Sequence, residues 1–142
     1  MILIDVNILV YAKRLDAIDH SQFRSWLEET LRSNTIVGFS DIVLSGVVRV
    51  LTHPRMYRNP TPLGEALEYV NYLRFETGSI VVSPGQRHWG IFTRLCNSSG
   101  AKGSLVSDAF HAALAIESGA EWITADRDFA RFPGLRWRHP LA

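Results

Sequence analysis

What most limits the folds open to this chain is an alternation of two periods. Short, wholly apolar runs are followed by longer stretches whose apolar residues recur at helical spacing. Ile2-Leu3-Ile4 is such a run, of the kind shown by a strand buried on both faces, and Asp5 ends it. Val6 to Lys13 then reads as a short helix. His20 to Arg32 reads as a second, with Phe23, Trp26, Leu27 and Leu31 on one stripe. Thr35 to Phe39 is the next expected strand. Ser40 or Asp41 can cap the helix after it, which stops before Pro54. Past a basic, proline-bearing loop at Arg55 to Pro62, Thr61-Pro62 starts a helix whose buried face is expected at Leu63, Ala66, Leu67, Val70 and Leu73. Ser79 to Ser83 predicts a third strand, Gln86 to Cys96 a helix, and Asn97 to Gly103 a polar loop. Ser107 can cap a helix through Ser118, closed by Gly119. Glu121 to Ala125 is a fourth strand, and Leu135 to Trp137 a fifth. This alternation predicts an α/β chain: a three-layer α/β/α sandwich around a mostly parallel central sheet.

Nothing divides the pattern. No repeat, low-complexity tract or Gly/Ser linker is present, and 142 residues make one domain, 1–142, at about 150 residues per domain. Hydrophobic residues at 46% and charged residues at 20% supply a core and exclude a disordered chain. The longest apolar runs, such as Ala112 to Ile116, are far below the ~20 residues of a membrane span. The opening Met-Ile-Leu-Ile-Asp lacks the basic start of a secretion signal, and the single cysteine, Cys96, has no partner for an internal disulfide. A cytoplasmic protein is therefore expected, with no membrane partner. Net charge is +1, yet thirteen of the fifteen basic residues are arginine. Arg127, Arg131, Arg136 and Arg138, with His139, crowd the end of the chain, as a phosphate-binding rim or as a solvated edge.

The acids fall at element boundaries. In a parallel sheet all strands end on one edge, where ligands gather. Asp5 follows the first strand, and Asp126 and Asp128 follow the fourth, so they share that edge. Asp108 reaches it by length. Eleven residues of helix to Ser118 span about 16 Å at ~1.5 Å each. Five residues of returning strand span about the same distance at ~3.3 Å each. Singly, each acid has a structural explanation: a turn after a strand, a charge favoured by a helix dipole, a solvated turn. Converging carboxylates raise one another's pKa, and a hard divalent cation removes the conflict. Oxygen-only donors suit Mg²⁺ or Mn²⁺, and no Cys/His set has zinc spacing. Carboxylate-held Mg²⁺ commonly serves phosphate chemistry. No phosphate-binding Gly-x-x-x-x-Gly-Lys loop, Gly-x-Gly-x-x-Gly turn or Gly-x-Ser-x-Gly elbow competes.

Three segments carry a resemblance. Ile2 to Val10 (ILIDVNILV), Ser107 to Ala115 (SDAFHAALA) and Ile123 to Phe132 (ITADRDFARF) resemble the PIN-domain ribonucleases, and more narrowly the VapC toxins of bacterial toxin–antitoxin pairs. Leu44 to Pro54 and the closing Phe132 to Trp137 with Pro140-Leu141 look like one branch of that group. The resemblance implies a Mg²⁺-dependent endoribonuclease, with Mn²⁺ as a possible substitute, acting on structured RNA of the translation machinery (tRNA or rRNA). It also implies a cognate VapB-type antitoxin and a homodimer. Asp5 and Asp108 match the family's principal metal-binding aspartates, Asp126 the third acid and Asp128 an accessory one. Asn7 matches a small polar residue that steadies the first aspartate or the attacking water. One position departs from the pattern: where many members carry a glutamate in the helix after the second strand, this chain has Gly46, and the nearest acid is Asp41.

Other residues leave two readings open. His111, three positions after Asp108, could meet substrate phosphate or pack against the sheet. His53, Arg55, Tyr57 and Arg58 could stack a base and hold phosphate, or form a solvated loop. Trp26, Trp89, Trp122 and Trp137 are expected in the core, while Thr124 and Ser107 could orient carboxylates or simply cap and pack. Three functions then compete. The first is metal-dependent RNA cleavage by Asp5, Asp108 and Asp126. The second, prompted by Gly46, is a catalytically weak or inactive RNA- or protein-binding module on the same fold. The third is a phosphoryl-transfer domain, which needs a nucleophilic aspartate with a lysine nearby, and both lysines are badly placed for that.

Overall fold

The N-terminal apolar run becomes the centre of the molecule. In the computed structural model, which describes residues 1–142, β1 (Ile2–Ile4) is buried along its whole length. It pairs in parallel with β2 (Val37–Phe39) on one side and β4 (Glu121–Ile123) on the other. β3 (Ile80–Val81) and β5 (Trp137–Arg138) are the two edges, giving the order β3-β2-β1-β4-β5, all parallel. Six helices connect and cover the sheet: α1 (Val6–Lys13), α2 (His20–Arg32), α3 (Asp41–Leu51), α4 (Leu63–Phe75), α5 (His88–Ser99) and α6 (Ser104–Ser118). No helix is long and apolar enough to cross a membrane. The expected α/β sandwich with its parallel sheet is thus the observed one. The chain steps outward from β1 to β2 and β3, then returns to place β4 on the other side of β1. That reversal opens the sheet edge between β1 and β4, where ligands of such folds bind.

The differences from the expected elements are short and have physical causes. The second strand starts at Val37 rather than Thr35, and the third keeps only two residues at the sheet edge, where Ile80 is 44% exposed. The fourth ends at Ile123; the Thr124 amide still bonds the Arg138 carbonyl, but the Ala125 and Asp126 amides turn to the side chains of Asn7 and Thr124. The fifth starts two residues later than expected and ends one later, at Trp137–Arg138. Thr61 does not cap α4. Pro62 occupies that position, and Leu63 and Leu67 face outward while Ala66, Val70 and Leu73 pack inward. Helix α5 begins at His88 and runs on to Ser99 before Gly100 ends it. Helix α6 starts at Ser104, one turn before the expected Ser107 cap, from Gly103 at φ +55°. Trp122 is buried and Trp26 and Trp137 pack against the core, but Trp89 is 66% exposed, because α5 buries only its His88 and Leu95 face.

Candidate active site

Asp5 has two structural jobs before any chemistry. Its backbone leaves β1 in extended geometry, and its Oδ1 caps α1 by accepting from the Val6 amide at 2.6 Å. Its Oδ2 accepts from the Thr124 hydroxyl at 2.7 Å and from Asn7 Nδ2 at 3.3 Å. Thr124 in turn accepts from the Asp126 amide at 3.0 Å, and Asp126 Oδ1 accepts from the Asp128 amide at 2.9 Å. Asn7 closes the network, donating to Thr124 and accepting from Ala125. One chain of hydrogen bonds therefore ties the end of β1 to the 3-10 turn after β4 (Arg127–Arg131). Thr124, fully buried, orients a carboxylate; Ser107 is exposed and does not.

Asp108 approaches from the other side, on α6. It sits beyond the first turn of that helix, which contains no acid, so its charge is not spent on the helix N-terminus. Burial raises its carboxyl to about 6, with Asp126, Asp5 and Asp128 adding repulsion in that order. Burial raises Asp5 to about 6 as well, against the hydrogen bonds from Thr124 and Val6, with Asp126 pushing it further. Asp5, Asp108 and Asp126 form no ion pair, whereas Asp128 has Arg131 at 3.8 Å. The four acids thus share one electrostatic site with little compensating charge.

They do not, however, form a closed cage. No three carboxylates, imidazoles or thiols stand close enough together to enclose a cation. Both Asp5 oxygens and one Asp126 oxygen are already engaged, accepting from Val6, Asn7 and Thr124 and from Asp128 respectively. The donor set, all oxygen and net negative, fits a hard divalent cation in charge and kind. Gly46 lies on α3, where a Cβ would come 3.0 Å from Val6 Cγ2. Asp41, the nearest acid by sequence, is held instead by Arg74 at 2.8 Å.

The remaining candidates separate cleanly. His111 packs: its ring stacks on Trp122 at 5.5 Å, and burial pushes its pKa down to about 4. Tyr57 lies under the Arg14 guanidinium at 3.8 Å, so its ring face is taken, while Arg55 and Arg58 remain exposed. Two C-terminal arginines hold the β4–β5 edge, Arg136 donating to the Gly119 carbonyl and Arg138 to Glu121. Two cations stand near the acids: Lys102 and Arg131 line a cleft of about 360 Å³ together with Asp108 and Asp128, and of the two only Arg131 is paired, with Asp128. Arg131 belongs to the arginine-rich end; nothing in local sequence distinguishes Lys102, which arrives by the turn before α6.

Comparison with known proteins bears on the chain as a whole. Residues 2–135 match the model of the PIN domain family. Ribonuclease VapC43 of Mycobacterium tuberculosis is 42% identical over 141 residues, covering 99% of this chain and 96% of its own. Among solved structures, VapBC2 of Rickettsia felis bound to a promoter DNA fragment is similar at a TM-score of 0.72 and 19% identity, over 98% of both chains. VapC20 of M. tuberculosis, described as a sarcin-ricin loop cleaving toxin, is similar at 0.66 and 18% identity, over 96% of this chain and 99% of its own.

Proposed function

The chain belongs to the PIN domain family and to its VapC ribonuclease branch, and from that premise we propose that it is a cation-dependent endoribonuclease whose Asp5, Asp108 and Asp126 hold Mg²⁺. The observation that carries this reading is the acid set itself. Three carboxylates without ion-pair partners, two of them raised to about 6, lie at the reversal point of a parallel sheet and repel one another there, without closing into a cage. A cation bound there, Mn²⁺ serving in place of Mg²⁺, would relieve the mutual repulsion and polarise a phosphodiester. Asn7 and Thr124 fix the Asp5 carboxylate, and Asp128 is accessory. Lys102 and Arg131 offer phosphate contacts at the rim.

The substrate class is structured RNA of the translation machinery, tRNA or rRNA, as the family resemblance implies. The partner is a VapB-type antitoxin, which neutralises the chain in the cytoplasm, and the chain pairs as a homodimer. A groove of about 1000 Å³ between α2 and α4, with Leu15 and Tyr72 exposed on it, offers the antitoxin a surface away from the acids. The test is RNA end mapping with purified protein. Wild type cuts at discrete positions in Mg²⁺ and not in EDTA, while folded Asp5→Asn and Asp108→Asn variants do not cut. Equal cleavage by a folded Asp5→Asn variant removes the mechanism.

Gly46 and the open arrangement of the acids favour one second reading, an RNA-binding module that cuts weakly or not at all. That reading requires RNA binding that survives EDTA and no cleavage under any divalent cation.

A further inference from the structure

A second cleft, of about 420 Å³, opens between α3 and α6 beside the acids. Helical spacing makes it: Ile42, Ser45, Gly46 and Arg49 fall on the face of α3 opposite its buried Val43, Leu44 and Val47. Across from them, α6 contributes Ser107 and Phe110 on either side of the Asp108–Ala109 pair. Val6, next to Asp5, forms part of the lining, so residues adjacent to two of the site's acids belong to this cleft. Gly46 helps keep it open, since a side chain there would meet Val6.

We infer that this cleft is a nucleobase subsite, taking a base that flanks the scissile phosphodiester of the RNA. The inference rests on the ribonuclease reading given above. Two half-buried rings, Phe92 and Phe110, edge-on to each other at 5.9 Å, give an aromatic wall of the kind on which unpaired bases stack. His111 also lines the cleft, where its ring, stacked on Trp122, adds to the wall, while its Nδ1 is buried out of a ligand's reach. Arg49 is exposed at the lining and forms no ion pair, which leaves its guanidinium for a backbone phosphate. The volume is that of a small-molecule site, whose range is roughly 300–1,000 Å³. A partner helix, about 10 Å across, needs a longer groove.

The experiment uses the purified full chain with a 12-nucleotide single-stranded RNA pool randomised at four central positions. The same RNA carrying 2-aminopurine at each of those positions in turn reports stacking by fluorescence quenching. Ser45→Phe fills the cleft from an exposed position on α3, and Arg49→Ala removes the cation; circular dichroism checks that both fold. Wild type shows a base preference at one position beside the cut and quenches 2-aminopurine there. Ser45→Phe flattens the preference, loses the quenching and raises KM about tenfold. Arg49→Ala weakens all sequences alike. If Ser45→Phe keeps both the wild-type preference and the quenching, the subsite is refuted. If it instead converts a dimeric wild type to monomers while the base preference stays, the cleft belongs to a second copy and the inference fails. If wild type quenches but in Mg²⁺ cuts neither this RNA nor tRNA and rRNA, and Ser45→Phe abolishes quenching, the subsite stands and the ribonuclease reading falls.

Discussion

Asp5 is 7% exposed and accepts hydrogen bonds from Val6, Thr124 and Asn7, yet its carboxyl is held up at about 6 because burial outweighs those donors. Ionised at neutral pH, it therefore costs the fold stability. Asp5→Asn is predicted to abolish cleavage while raising unfolding stability at pH 8 by about 1–3 kcal/mol, read by denaturant titration. Thr124→Val acts the other way. It removes the donor that favours the Asp5 carboxylate, so stability falls by about 1–3 kcal/mol and cation affinity drops about 10–100-fold, measured by calorimetric titration. Asp5, Asp126 and Asp128 stood out in the sequence because each sits at an element boundary, whereas Asp108, expected at the start of α6, lies one turn inside it. The hydrogen bonds through Thr124 were legible only as one option among two, since a buried threonine also packs. The open state of the acids was not legible at all. It depends on which donors each carboxylate finds, and spacing says nothing of that. Trp89 misled for a related reason: a helix that covers a sheet from outside buries one face, and periodicity alone does not say which.

At the scale of elements, α6 and β4 set the distance between Asp108 and the Asp5–Asp126 network. Their connection turns on Gly119, which closes α6 at φ +69° and gives its carbonyl to Arg136 at 2.7 Å. Gly119→Ala forces a side chain into a left-handed conformation and is predicted to cost about 1 kcal/mol, seen as a lowered midpoint in thermal unfolding. Helices α1 and α2 were readable from end to end because apolar periodicity and their flanking residues agree. Strands β2 and β4 were each read two residues too long, because strand ends are set by ladder partners elsewhere in the chain. The early start of α6 at Ser104 follows from the positive φ of Gly103, a conformation that a polar, glycine-bearing stretch permits without announcing it.

For the whole molecule, the two raised carboxyls link stability to pH and to cations. Asp5 and Asp108 bind protons more tightly in the folded chain than at their ordinary value of 3.8. Their contribution is fully present below 3.8 and is lost as pH rises through about 6, so stability falls across that window and levels above it. Mg²⁺ is predicted to reverse the loss. At pH 8 it raises the thermal midpoint, at pH 5 it does so less, and in Asp5→Asn the effect shrinks. The account stands on carboxylates from distant segments forming one cation site, and anomalous diffraction from crystals soaked in Mn²⁺ tests that most directly. The predicted result is a peak bonded to oxygens of Asp5 and Asp108. Full occupancy elsewhere, or no peak among these acids, contradicts it.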